Sequence, residues 1–457
     1  MTHLQIPEDV MRALGYRCVD LLVQHLSGTA EGPVPTAPER RSPDEALPRG
    51  PAPDPGAVLE ETCRMLCTGN AHPDHPRFLA FVPSPGNVVG VLASMLATGF
   101  AVPGGRRFTG PAAADVELTT VRWLVELLGL PEGTGGLFVP GGSLANLTAL
   151  TVARDRRGPG VAYFSDQTHL SVPRALHVLG VGAELVRRLP CDGAQRLDVE
   201  VLARAVRRDR RAGRRPFVVV ANAGTTSTGA VDPLPRLAEF CRAEGLWLHV
   251  DGAFGAAAAL TEEGRKEQAG LGLADSLTVD PHKWLFQPAE LACVLLRRPE
   301  ELRKSFGVRL PGYLAESGEE PGPQGDFMQY GIQLTREFRA LRLWLSLKVF
   351  GADAFRDAVA QGMRTARELG RFIDAEPGVE LVTPPSLAVL TFRCAGADAD
   401  LVCRELRAEG DALVMPTTVD GERVFRLCTI NPRADVGELE DVVRRLRELS
   451  ESLRKGA

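Results

Sequence analysis

The chain has 457 residues, 44% hydrophobic and 24% charged, with a formal net charge of −5 and a pI near 6.0. This is ordinary globular composition, long enough for a large core and a second domain. The many arginines are balanced by acids, which argues against a nucleic-acid-binding protein. The densest basic stretch, 204–215, reads as a solvated helix and loop.

At the N-terminus, MTHLQIPEDV lacks a basic segment followed by an apolar one, so no signal peptide is expected. Residues 9–27 form an amphipathic pattern, with Val10, Leu14, Val19, Leu22, Val23 and Leu26 near helical spacing. Residues 28–56, rich in Pro, Gly and Ala, read as an extended arm or linker, and a second helix is predicted over 57–68. Cys63 and Cys67 stand four apart with no matching His or Cys pair nearby, so no metal site is expected. The nine scattered cysteines fit a reducing cytosol, and a cytoplasmic protein is expected. The apolar run 87–102 is too short and Gly-punctuated for a membrane span and is read as a buried helix.

From about 135, short apolar runs alternate with helical segments. Strands are predicted at 137–139, 161–164, 217–221, 246–250, 277–279 and 292–296, with helices from Ser143, near 172–179 and near 233–244. Nearly continuous apolar strands alternating with helices imply an α/β fold, its mostly parallel sheet covered on both faces. After about 335 come helices over 335–350 and 353–375, strands near 387–393, 412–416 and 423–429, and a last helix from Asp435. This reads as a smaller α+β domain. The expected division is an N-terminal helical arm (1–80), a large α/β domain (81–345) and a small C-terminal domain (346–457).

Ligands of such sheets bind at the carboxyl ends of the strands. The first candidate string is Val139-Pro140-Gly141-Gly142-Ser143, a glycine turn opening a helix. Free N–H groups there can hold an anion, and Ser143 can cap the helix or donate to a phosphate. Next is Ser165-Asp166-Gln167-Thr168-His169, whose His can stack on a ring or move a proton. Then His249-Val250-Asp251-Gly252-Ala253-Phe254 places an acid after an apolar strand, where burial is costly unless the acid is paired. A carboxylate there can hold a protonated pyridine nitrogen, and the small residues leave room for a flat ring. Last comes Asp280-Pro281-His282-Lys283-Trp284, where a lysine follows a buried strand. Its amine can form an imine with an aldehyde.

Taken alone, each string has a plain structural reading: a capped turn, a surface His, an N-cap Asp, a solvated Lys. Their order is more specific. An anion cradle, a ring-stacking His, an acid for a ring nitrogen and an amine about 32 residues later are the set that pyridoxal 5′-phosphate (PLP) requires. Neither a Gly-x-Gly-x-x-Gly nor a Walker motif is present to suggest a nucleotide.

These strings resemble the group II PLP-dependent amino-acid decarboxylases, relatives of aromatic-L-amino-acid decarboxylase with PLP fold type I (aminotransferase-like). The resemblance runs along nearly the whole chain. Asp280-Pro281-His282-Lys283-Trp284-Leu285 is similar to the family's cofactor-lysine motif. The resemblance implies that Asp251 pairs with the pyridine nitrogen, that Ala253 and His169 pack on opposite ring faces, and that Gly142, Ser143 and His282 anchor the phosphate. Thr226, in Gly224-Thr225-Thr226, and Asp280 also fall among the implied cofactor residues. His75-Pro76-Arg77-Phe78-Leu79-Ala80-Phe81-Val82-Pro83-Ser84 resembles a segment lining the substrate pocket, which implies substrate roles for Phe81 and Ser84 and, further on, for Phe108 and Thr109. Phe338-Arg339-Ala340-Leu341-Arg342-Leu343-Trp344 resembles the helix leaving the large domain. Arg309-Leu310-Pro311-Gly312-Tyr313-Leu314 resembles the loop whose Tyr protonates Cα after CO₂ leaves. The family also implies a homodimer with its active site at the subunit interface.

Departures exist: Gly141-Gly142 replaces small polar residues, Leu144 and Pro173 replace acids, and Arg106-Arg107-Phe108-Thr109 makes a more basic pocket mouth than aromatic decarboxylases have. The expected reaction is decarboxylation of an L-amino acid or derivative to amine and CO₂, with Lys283, His169, Tyr313 and Asp251 catalytic. The alternatives are decarboxylation coupled to oxidative deamination, giving an aldehyde, or β-elimination (C–S lysis) of a cysteine conjugate. A protein that kept the fold but lost catalysis is a third reading.

Overall fold

Runs such as Phe217-Val218-Val219-Val220 favour strands because β-branched and aromatic side chains suit a pleated, buried surface. The computed structural model describes residues 6–34, 47–309 and 326–456. In it β1 (Gly135–Val139), β2 (Val161–Ser165), β3 (Val186–Leu189), β4 (Pro216–Asn222), β5 (Trp247–Asp251), β6 (Ser276–Val279) and β7 (Ala292–Leu296) form one sheet. Their order is β1-β7-β6-β5-β4-β2-β3. Strand β7 runs antiparallel to β1 and β6, and the remaining pairs are parallel. Alternate residues face opposite sides: Val219, Ala221, Leu248 and Val250 enter one apolar core, Val218, Val220 and Trp247 another. Both faces are therefore covered, as the continuous apolar runs require.

Strand β3 is an addition to the predicted set. Arg187 and Arg188 break its apolar pattern, which an edge position tolerates. Arg187 reaches the fully buried Asp209 at 2.7 Å, and the Tyr163 hydroxyl donates to the same carboxylate at 3.0 Å.

The C-terminal part carries a second, antiparallel sheet of β8 (Val379–Ser386), β9 (Val389–Cys394), β10 (Met415–Val419) and β11 (Glu422–Cys428), in the order β10-β11-β9-β8. Strand β8 escapes prediction because Pro384 and Pro385 argue against a strand, yet prolines are accepted at a sheet edge. Strand β10 starts later than expected. Leu413, before it, instead bridges Phe78, and the Leu79 N–H donates to the Leu413 carbonyl at 2.9 Å. The segment near 78–80 thus threads into the small sheet's core, where Leu79 is fully buried. The two helices expected around 350 join into Ala340–Ala375, interrupted at Gly351, whose φ of 77° is left-handed and suits glycine.

The front of the chain packs less deeply. Helices Glu8–Gly28 and Pro55–Cys67 bury none of their residues. Helix Val88–Gly99, expected to be buried, leaves Val88, Leu92, Met95 and Leu96 exposed within one chain, and Phe100 after it is 77% exposed. Among the described residues, no helix is long and apolar enough to cross a membrane.

Candidate active site

Strands β1, β2, β4, β5 and β6 point their carboxyl ends the same way, and the segments that follow them converge on one cavity of about 490 Å³. Gly142, Ser143, His169, Thr226, Asp251, Ala253, Asp280, His282 and Lys283 all line it. Every cofactor residue expected from the sequence is therefore brought together.

The helix after β1 is Gly142–Arg157, with Gly141 as N-cap and no side-chain cap. It begins one residue earlier than expected, so Ser143 lies inside the first turn and does not cap it. The uncapped start presents its amides toward the cavity, an arrangement suited to an anion. A Cβ on Gly142 would lie 2.7 Å from Asp280 Oδ2, so glycine is what lets the turn approach the lysine segment. Lys283 Nζ sits 3.1 Å from Asp280 Oδ2, and His282 Nε2 sits 3.8 Å from the same oxygen. His282 Nδ1 donates to the Leu291 carbonyl at 2.7 Å, which fixes the ring. Asp280 Oδ1 is buried without a hydrogen-bond partner among the described residues.

Asp251 ends β5 and is buried, and its carboxylate has two donors. The Ala253 N–H reaches Oδ1 at 3.1 Å, and Asn146 Nδ2 reaches Oδ2 at 2.8 Å. Asn146 is a hub that sequence reasoning missed. Its Nδ2 also donates to Ser171 Oγ at 2.9 Å. Its Oδ1 accepts from Thr278 Oγ1 at 2.7 Å and pairs with His249 Nε2 at 2.9 Å. An amide oxygen only accepts, so His249 carries its proton on Nε2. Its Nδ1 then accepts from Ser276 Oγ at 2.9 Å, and Ser276 Oγ accepts the Trp247 indole N–H at 2.8 Å. Burial pushes the His249 imidazole down to about 4, so it is neutral at ordinary pH. One faint signal for Asn146 was legible: a polar residue inside Leu144-Ala145-Asn146-Leu147, three positions after Ser143 and so on the same helix face.

His169 is held from the same hub. The Ser171 N–H reaches His169 Nδ1 at 3.2 Å, and Ser171 Oγ lies 2.8 Å from it. Because a backbone N–H only donates, Nδ1 is the acceptor and Nε2 carries the proton. Burial, foremost, lowers the affinity of His169 for a second proton, and Lys283 adds to this while Asp251 opposes it. His169 is thus a neutral donor facing the cavity. Asn222, also missed, and Thr225, within the quoted Gly224-Thr225-Thr226 string, line the wall beside Thr226.

The sequence-expected substrate residues are placed elsewhere. Phe81 and Phe108 are 58% and 67% exposed, Ser84 is half-buried, and Thr109 is exposed. None of the four lines this cavity within one chain; Thr109 borders a separate one. Tyr313 lies outside the described residues.

An orphaned carboxylate oxygen, a lysine amine, a buried acid with two donors and an uncapped helix start enclose one space. That set fits a group with an anionic end, a ring nitrogen and a reactive aldehyde. The pyridoxal-dependent decarboxylase conserved domain matches residues 38–395. The chain belongs to this family.

An aromatic-L-amino-acid decarboxylase of Bacillus atrophaeus is 42% identical over 99% of this chain and 98% of its own length. A phenylacetaldehyde synthase of Arabidopsis thaliana is 29% identical over 96% of this chain and 95% of its own. Among solved structures, Catharanthus roseus tryptophan decarboxylase in complex with L-tryptophan aligns with a TM-score of 0.90 at 26% identity, covering 98% of this chain and 99% of that one. The Oryza sativa TDC with PLP and tryptamine aligns with a TM-score of 0.92 at 24% identity, covering 99% and 100%, and so shares the fold. This decarboxylase is a PLP-dependent carboxy-lyase acting on an amino acid.

Proposed function

We propose that the decarboxylase acts on aromatic L-amino acids and releases the corresponding amine. The observation that carries this reading is the end-to-end 42% identity with a bacterial aromatic-L-amino-acid decarboxylase, together with a cavity that holds every expected cofactor residue. PLP supplies an electron-accepting ring that makes loss of CO₂ from Cα feasible. Lys283 is the amine that carries the cofactor. Asp251, oriented by Asn146 and the Ala253 amide, keeps a proton on the ring nitrogen. The amides at Gly142 and Ser143, with the Ser143 hydroxyl, Thr226 and His282, bind the phosphate; Ala253 provides a flat wall. His169 keeps Nε2–H directed at the reacting region, and Tyr313 is the proposed proton donor to Cα.

Substrate choice rests on surfaces that one chain leaves open. We propose a homodimer in which the exposed face of Val88–Gly99 and the arm helices pack against the partner. Phe81, Ser84, Phe108 and Thr109 then border a substrate site shared across the interface. The proposed division into an arm (1–80), a large domain (81–345) and a small domain (346–457) follows the two sheets. All nine cysteines are free, which supports a reducing, cytoplasmic location.

The identity with phenylacetaldehyde synthase keeps one second reading in view, aldehyde formation at the same site. Incubation of holoenzyme with L-tryptophan, L-tyrosine and L-phenylalanine, with amine, aldehyde, ammonia, H₂O₂ and CO₂ all quantified, separates the readings. Equimolar amine and CO₂ is the expected result. Aldehyde with ammonia and H₂O₂ would replace the proposal by the second reading, and turnover only of non-aromatic amino acids would refute the substrate class.

A further inference from the structure

Away from the cofactor, the fold assembles a set of ligand-type side chains that spacing alone does not reveal. His25 lies in the last turn of helix Glu8–Gly28, Cys67 ends helix Pro55–Cys67, and His72 and Asp74 follow in the loop. One potential ligand atom from each of His25, His72 and Asp74 lies within 4.8 Å of the others. Cys67 Sγ lies outside that mutually close set but is 3.7 Å from His25 Nδ1. That separation suits a tetrahedral centre with bonds of roughly 2.3 Å to sulfur and roughly 2.0 Å to nitrogen. Cys63, four residues before Cys67, is not in the group, and no metal site is expected from that pair. The partners come instead from the neighbouring helix and from five and seven residues downstream.

We propose that His25, Cys67, His72 and Asp74 bind one Zn²⁺ ion, which ties the N-terminal arm to the body of the protein. The donor chemistry is nitrogen, sulfur and a single carboxylate oxygen, which favours zinc over calcium or magnesium. One thiolate and one carboxylate balance the ion's charge. The tautomer of His72 is already set: Nε2 donates to the Cys67 carbonyl at 3.3 Å, leaving Nδ1 with its lone pair. Metal-bound imidazoles characteristically donate their other N–H to such an acceptor.

The two halves of the site differ in how they are held. Asp74 belongs to the rigid half, because buried Asn431 donates through Nδ2 to the Asp74 and His75 carbonyls at 3.0 Å each. The turn between Cys67 and His72 is pinned by Asn70 Nδ2, which donates to the Met65, Leu66 and Thr68 carbonyls at 3.2 Å. His25 sits on a helix with no buried residue. An ion joining His25 to Asp74 therefore adds a fixed link where apolar packing within the chain supplies little. All four ligands come from one chain, and the inference does not depend on the substrate or the reaction.

The test uses purified holoenzyme freed of metal by a chelator and dialysed. Zn²⁺ is titrated against a chromophoric competitor, and Co²⁺ is used as a spectroscopic substitute. The expected result is one Zn²⁺ per chain with a submicromolar Kd. The Co²⁺ form should show an intense thiolate-to-metal charge-transfer band that is absent from Cys67→Ala. His72→Ala should bind Zn²⁺ more than about 100-fold more weakly, since loss of a supporting partner alone costs 10–100-fold. The visible absorbance of bound PLP, unchanged in both variants, reports that they are folded. Zinc should also slow backbone hydrogen exchange in residues 8–31. No stoichiometric binding by wild type at micromolar Zn²⁺ would overturn the site. So would a Co²⁺ complex without the sulfur band, or His72→Ala binding as tightly as wild type.

Discussion

Around Asn146, both amide hydrogens and both oxygen lone pairs are engaged, and the groups they meet, Asp251, Ser171, His249 and Thr278, are all buried. Along Val88–Gly99 and the arm helices, by contrast, Tyr16, Val23, Leu92, Met95, Leu96 and Phe100 stand exposed. The first region is complete within one chain. Its polar groups sit where an unmade hydrogen bond is expensive, so their positions are tightly specified. The second is exposed apolar surface, the face proposed to meet a partner, and it lies in the same N-terminal part of the sequence as the expected substrate residues. The contrast separates two tasks: cofactor chemistry is built into the folded chain, while the proposed substrate selection depends on assembly.

Breaking the hub should produce the largest effect on the folded state. Asn146→Ala removes one hydrogen bond from each of four buried side chains and is expected to cost about 3–5 kcal/mol of stability. Urea unfolding of holoenzyme measures it; a loss under about 1 kcal/mol would show that the network is not specifying the site. Asp251→Ala should lower kcat by about 10²–10³-fold, the usual effect of removing one fixed electrostatic partner, with much of the stability kept. A kcat within threefold of wild type would remove Asp251 from the proposed mechanism.

The buried neutral His249 gives the hub a pH signature. Its folded value, about 4, lies below the ordinary 6.5, so the unfolded chain takes up the proton first. The stabilisation is full above about pH 6.5 and is lost as pH falls toward about 4, on the order of 3 kcal/mol in total. The difference between wild-type and His249→Gln stability curves over this window isolates that contribution, because other titrating groups are common to both. Parallel curves would mean that His249 is not buried in its neutral form.

The exposed region should respond in the opposite manner. Phe100→Asp is expected to shift the protein toward monomer in sedimentation velocity, lower turnover, and leave the PLP absorbance nearly unchanged. A variant that stays dimeric with wild-type activity would remove this face from the proposed interface.

Much of the fold was readable because the strands of the large sheet are buried on both faces and thus continuously apolar. Strands β3 and β8 were not, since edge positions admit Arg187, Arg188, Pro384 and Pro385, which erase the strand pattern. In the site, Asp251, His169 and Lys283 stood out as polar groups at the ends of apolar strands. Asn146, Ser171 and Asn222 did not, because their importance arises from contacts between elements far apart in sequence. The zinc-type cluster was hidden for the same reason: His25 is 42 residues from Cys67. Helix Val88–Gly99 was misread as buried because an apolar run does not by itself show which of its faces the chain covers; only Gly90 and Ala93 of it are buried.

The account depends most on the amine that holds the cofactor. Borohydride reduction of holoenzyme, followed by proteolysis and mass spectrometry, fixes the cofactor to that amine and locates it. The chain has only four other lysines, Lys266, Lys304, Lys348 and Lys455, so the assignment is unambiguous. The pyridoxyl mass is expected on the peptide containing Asp280-Pro281-His282-Lys283. Its appearance on any of the other four, or on no lysine at all, would contradict the proposed site.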